Sequence, residues 1–145
     1  MKNINSELND FFVNCFYSIL KNEENTMSKY ADNLSISEIH LIEAISRTKD
    51  NNGTNVSKLL NITLGSLTVA ATTLINKGYI TRKRDDNDKR ISRLYLTDEG
   101  VYINKKHIEF HNNMINGILE NIDDKECDVL VSALDKINKF MENNK

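Results

Sequence analysis

Three sets of side chains in this 145-residue chain have the types and spacing to do chemistry. The first is cationic. Arg82, Lys83, Arg84, Lys89, Arg90 and Arg93 put six of the chain's 19 Lys and Arg into one short stretch, although the net charge is −2. Cations focused this way suit phosphates and nucleic-acid grooves. Asp85, Asp86 and Asp88 lie among them, so a plain solvated hairpin tip is the competing reading. The second set is imidazole. His107 and His111 stand four residues apart and share one helix face. With His40 and a carboxylate from Glu23 or Glu24 they make a nitrogen-and-oxygen set that suits tetrahedral zinc, although such His pairs are also ordinary structural residues. The third set is thiol. Cys15 and Cys127 are too far apart to suggest a disulfide framework. Cys15 shares an apolar face with Phe11 and Ile19, the usual setting of an inert buried thiol.

Composition limits what these groups can serve. Hydrophobic content of 39%, charged content of 28%, no Pro and five Gly fit one helix-rich domain over residues 1–145. The absence of an apolar run near 20 residues argues against a membrane span. The first residues lack the pattern of a secretion signal, so the expected setting is the reducing cytoplasm. A net acidic chain does not coat nucleic acid indiscriminately, and any DNA contact must be local. No Gly-rich phosphate loop, nucleophile elbow or catalytic carboxylate pair appears, so no enzyme is expected.

The elements that must position these residues follow from periodicity. Leu8, Phe11, Phe12, Cys15, Phe16, Ile19 and Leu20 predict an amphipathic helix over about 5–22, followed by a polar connection from Lys21 to Asn33 with room for some helix. Ser35 or Ser37 caps a helix ending near Arg47, and Asn52 caps a short one to Leu60. Thr63 caps the next, with Leu64, Leu67, Ala71, Leu74 and Ile75 on its apolar face and a stop at Gly78. Two β-type segments flank the charged loop and predict a hairpin. A helix from Thr97-Asp98-Glu99 to about Asn121 and another from Asp123-Asp124 to about Asn143 complete the chain. Paired helices with a very short turn, then a hairpin, make a winged helix-turn-helix over about 35–97. A helical adaptor that binds no DNA is the alternative of another class, and it leaves the basic hairpin without a purpose.

Gly78-x-Ile80-x-Arg82, Asp88-x-Arg90 and Leu94-x-Leu96-Thr97-x-x-Gly100 resemble the wing signature of MarR-type transcription regulators. The resemblance implies a mainly α fold with a small β-hairpin wing, and a homodimer held by helices about 5–22 and 98–143. It further implies a double-stranded, pseudo-palindromic operator under repression. On that footing the DNA-facing residues are Thr63, Gly65, Ser66, Thr68, Val69 and Thr72 of the recognition helix, with Arg82, Arg84, Asp88, Lys89 and Arg90 of the wing. Asp88 would hold the wing loop and leave Arg90 for a narrow A·T-rich minor groove. Ser66 and Thr68 would bond phosphates, and Val69 and the Thr methyls would suit thymine. Many relatives carry Arg where this chain has Val69, and no Lys or Arg occurs from Thr63 to Asn76, so an A·T-rich operator is expected.

Within that family, Thr63-Leu64-Gly65-Ser66-Leu67-Thr68, Ser35-Ile36-Ser37-Glu38-Ile39-His40 and Phe110-His111-x-x-Met114 are similar to the FabT branch, which represses fatty-acid biosynthesis genes. That similarity implies acyl-acyl carrier protein as co-repressor, with the acyl chain among Phe12, Phe16, Ile19, Ile39, Ile103, Phe110 and Met114. The competing reading of those residues is the apolar stripe of any helical dimer. The His trio with Glu24 resembles the zinc site of zinc-responsive MarR repressors. Cys15, with Tyr17 or Tyr30 nearby and Cys127 to resolve it, resembles the peroxide-sensing members.

Overall fold

The computed structural model describes residues 3–144, and the chain divides into two compact units, Met1–Phe110 and His111–Lys145. In the first unit, α1 (Ile4–Asp10), a π-helical turn (Phe11–Cys15) and α2 (Phe16–Met27) run on from one another. Asn3 caps α1, its side chain accepting from the Asn5 N–H. The helix outlasts the expected end near residue 22 by more than a turn. Glu23 and Met27 are both buried on α2, so tertiary packing extends a helix whose polar surface sequence looks like a connection.

Ser35 begins α3 (Ile36–Arg47) with a reciprocal capping box: its side chain accepts from Glu38 N–H, and the Glu38 carboxylate accepts from Ser35 N–H at 2.8 Å. Asn52 caps α4 (Gly53–Leu60), which ends at Asn61 with φ 54°. Asn tolerates that left-handed backbone better than most side chains, and the chain turns sharply there. Thr63 then caps α5 (Leu64–Asn76), and the path bends by 103° from α4 to α5. That is helix-turn-helix geometry.

Leu67, Ala71 and Leu74 of α5 pack with Val56 of α4 and with Ile39, Leu41, Ile42, Ala44 and Ile45 of α3. Met27, Ile80, Leu94 and Ile103 close this core. Truncating a side chain as fully enclosed as Leu74 to Ala costs ~2–5 kcal/mol.

Gly78, at φ 85°, turns the chain from α5 into β1 (Ile80–Arg84). β1 pairs antiparallel with β2 (Ser92–Leu96), in a register running from Ile80 opposite Leu96 to Arg84 opposite Ser92. Thr97 locks the base of the hairpin, its hydroxyl donating to the Gly78 carbonyl at 2.7 Å and accepting from Gly100 N–H. Gly100 is required for that closeness, since a Cβ there would sit 2.1 Å from the Tyr79 carbonyl oxygen. α6 (Asp98–Leu119) starts at this base.

The second unit holds the end of α6 and α7 (Asp124–Asn143), which Asp123 and Glu126 start with a capping box. No residue of α7 is buried, and Val129, Val131, Phe140 and Met141 are each at least 60% exposed.

Candidate nucleic-acid interface

The outward face of α5 carries every position expected there to meet DNA. Thr63, Gly65, Ser66, Thr68, Val69 and Thr72 are all exposed, while Leu67, Ala71 and Leu74 point into the core. The Thr63 hydroxyl accepts from Ser66 N–H at 3.1 Å, which anchors the helix start. The Thr68 hydroxyl, read from sequence as a phosphate contact, donates to the Leu64 carbonyl at 2.9 Å.

On the wing, Arg82, Arg84, Lys89 and Arg90 are exposed and Asp88 is half-buried. Asp88 grips Arg90 from three sides: Oδ1 accepts from the Arg90 N–H and Nε, each at 3.1 Å, and Oδ2 from Nη2 at 3.2 Å. The Arg90 side chain stays 91% exposed, so the contact aims the guanidinium without hiding it. The hydrogen bonds from the Arg90 side chain and backbone hold the Asp88 carboxyl below its ordinary range. Asp88, expected to hold the loop backbone, does so through the Arg90 N–H and shares that work with Asp85. Asp85 Oδ1 accepts from the N–H groups of Asn87 and Asp88, both at 2.8 Å, and these bonds, with the one from Arg93, lower the Asp85 pKa. Both carboxylates shape the turn, and Asp88 also positions the fingertip.

Sequence reasoning missed the clasp that fixes the hairpin to the helical body. Arg93 donates from Nε to Asp50 at 2.8 Å and from Nη1 to Asp85. Beside it the Asn51 amide donates to the Leu94 carbonyl, Leu94 N–H donates back to the Asn51 carbonyl at 3.0 Å, and Asn52 bridges to Arg93. The segment before α4 is thus stitched to β2. The available signal was the alternation in β2, where Leu94 faces inward and leaves Arg93 on the opposite face; the partner at Asp50, 43 residues away, has no local signature. Between wing and helices lies a groove of about 560 Å3 whose lining includes Asn52, Asn55, Leu64, Thr68, Arg82 and Arg90. It is concave, and its cations come from the wing.

A second constellation lies away from this surface. Glu23, 1% exposed, accepts from His40 Nε2 at 2.9 Å and from His107 Nε2 through the same oxygen, Oε1. His107 Nδ1 lies 3.3 Å from Glu43 Oε2. Burial alone would raise the Glu23 carboxyl, but the hydrogen bonds and charges of His107 and His40 outweigh it and lower it to about 2. The bond to Glu23 raises His40 against the opposing effect of burial. The carboxylate in this cluster is Glu23, and Glu24, the other expected donor, is solvent-exposed because it lies one residue further round α2. His111, half-buried, follows His107 by one turn of α6. A buried carboxylate and converging imidazoles are the donor types zinc takes, so the residues present fit that ion.

The remaining expectations fare unevenly. Ile39 and Ile103 sit in the core, packed against other side chains. Phe12 and Phe16 are 50% and 58% exposed, and Ile19, Phe110 and Met114 are half-buried. Cys15 and Cys127 are free and partly exposed. Cys15 is therefore not enclosed as its apolar neighbours suggested, since Phe11 and Phe16 find no cover within their own unit.

Helix pair, hairpin wing and cationic groove together define a winged helix-turn-helix transcription regulator. The family described as transcriptional regulator SarA/Rot matches residues 15–113, and the chain belongs to that family. The fold is MarR-like. It is similar to the crystal structure of Streptococcus pneumoniae FabT in complex with DNA, with 32% identity, a TM-score of 0.91, and coverage of 97% of this chain and 99% of that one. A MarR protein of Peptoclostridium difficile matches at 25% identity and a TM-score of 0.76, over 99% of this chain and 93% of that one. The HTH-type transcriptional repressor YetL of Bacillus subtilis is 26% identical over 136 residues, which cover 91% of this chain and 81% of that protein. These relatives are regulators of transcription, as expected, and not enzymes.

Proposed function

We propose that this chain binds double-stranded DNA as a homodimer and represses genes of fatty-acid biosynthesis, with acyl-acyl carrier protein as co-repressor. The observation that carries the reading is the similarity to FabT along essentially the whole of both chains. The wing and α5 support its DNA-binding part, since one presents an aimed, exposed arginine and the other an unobstructed helix face. Bare apolar faces support the homodimer: in the first unit Ile4, Phe11, Phe16 and Tyr17 are each more than half exposed, and in the second α7 buries nothing. Such faces call for cover by another chain. The setting that follows is the cytoplasm.

The test is a band shift with the promoter regions of the host's fatty-acid synthesis genes, run with and without long-chain acyl-acyl carrier protein. Expected is a specific complex tightened by the acylated carrier and not by the unacylated one. A complex indifferent to the acyl chain removes the co-repressor, and no complex on those promoters removes the gene assignment.

One observation favours a second reading, zinc as the effector. Glu23, His40 and His107 already converge, and His111 lies on the same face of α6. Zinc held there by Glu23, His40 and His107 would tie α2 and α3 to α6. Titration with zinc after chelation should then raise both the melting temperature and operator affinity; no change in either removes the metal.

A further inference from the structure

The reading face of α5 is short of hydrogen-bond donors. Thr68 Oγ1 donates to the Leu64 carbonyl at 2.9 Å, Thr72 Oγ1 to the Thr68 carbonyl at 2.9 Å, and Thr73 Oγ1 to the Val69 carbonyl at 3.2 Å. Each hydroxyl proton is thereby turned back into its own helix. From Leu64 to Ile75 no Lys, Arg, Asn or Gln occurs, and Ser66 alone keeps a hydroxyl proton not given to the helix. Guanine offers two acceptors, N7 and O6, to the major groove and is read by a pair of donors, whereas thymine offers a C5-methyl group beside O4. A face of methyl groups and hydroxyl lone pairs suits the second pattern and leaves the first unsatisfied.

Val69 stands at the centre of that face and is 70% exposed. A β-branched side chain there serves neither the helix, which Ala would favour, nor solubility. It contributes nothing to the core. Its two methyl groups are free to make a contact if α5 meets DNA.

We propose that Val69 is a specificity-determining residue that recognises thymine C5-methyl groups, with the Thr68 and Thr72 methyls flanking it. The inference rests on the DNA-binding reading and adds its base chemistry. Sequence selection is then shared between a methyl-reading helix and the arginine of the wing.

The test starts from duplexes selected from a random pool by the full-length protein. In the best of them, thymines are replaced one at a time by deoxyuridine, which removes only the C5-methyl and keeps every hydrogen-bonding group. Replacement under α5 should weaken wild-type binding roughly fourfold per methyl, the effect of burying one such group. Val69→Ala should weaken binding to the thymine duplex by a similar factor and be indifferent to deoxyuridine at the matching position. Its melting temperature should not fall, since the site is exposed and Ala favours helix. Wild-type binding that ignores every deoxyuridine, or penalties from Val69→Ala and deoxyuridine that simply multiply, overturns the inference and leaves DNA binding intact. Failure to enrich any duplex overturns both.

Discussion

The wing and the recognition helix present opposite chemistry. Six cations lie between Arg82 and Arg93, while α5 has none from Leu64 to Asn76. Charge on the wing gives affinity that depends on salt, and its base preference is limited to the groove width that Arg90 enters. An uncharged helix face contributes less binding free energy, but what it contributes depends on which bases lie beneath it. The two are also held differently. α5 is fixed by core packing along one whole side, whereas the wing is rooted in the core at Ile80 and Leu94 and held further out by polar clasps at Asp50, Asn51, Asp85 and Arg93. Placing charge on a hairpin and bases under a helix lets each fail without destroying the other.

That division predicts a graded series of losses. The largest is Arg90→Ala, which should lower operator affinity about a hundredfold when two wings act together, with the fold and oligomeric state retained. Band shifts at several salt concentrations would check it, and an unchanged affinity breaks the contrast at its root. Arg93→Ala should cost about tenfold, since it frees the wing without removing a DNA contact. The slope of log affinity against log salt should barely move in that variant, whereas loss of a phosphate-binding cation lowers it by about one. Thr63→Ala removes the α5 cap and should cost ~1 kcal/mol of stability, read from chemical denaturation, with a small loss of affinity.

A control lies outside both regions. Glu23→Gln should lower the melting temperature of the chelator-treated protein without changing which duplexes it selects, because the side chain is buried with His40 and His107. Glu23, held at about 2, stabilises the fold above its ordinary value of 4.5 and loses that contribution as pH falls toward 2. His40 is raised, so its contribution is complete below 6.5 and lost as pH climbs through its folded value. The gap between wild type and variant should therefore be widest between pH 4.5 and 6.5. A gap that grows above that window would show that another group carries the stabilisation.

Most of the architecture was legible from local chemistry. Ser35, Asn52, Thr63 and Asp123 each cap the helix their position announced, and Gly78 closes α5 because only its backbone takes φ 85° without strain. These signals act within a few residues, so a linear reading contains them. The exposed side chains of α5 and the wing were legible for the same reason, since period and turn decide which way they face.

What required the folded chain was every decision made between distant segments. Whether Glu23 or Glu24 meets the imidazoles depends on how far α2 runs and how it faces α3 and α6, a question of packing that the polar sequence around it does not answer. Arg93 finds Asp50 only because the core brings β2 beside the start of α4. The donor poverty of α5 is likewise a property of the folded helix: a threonine has a proton to give until an i−4 carbonyl takes it. Helix starts, turns and outward faces are encoded in neighbouring residues; the Arg93–Asp50 pair and the buried charge of Glu23 arise only when remote segments compete for the same few atoms.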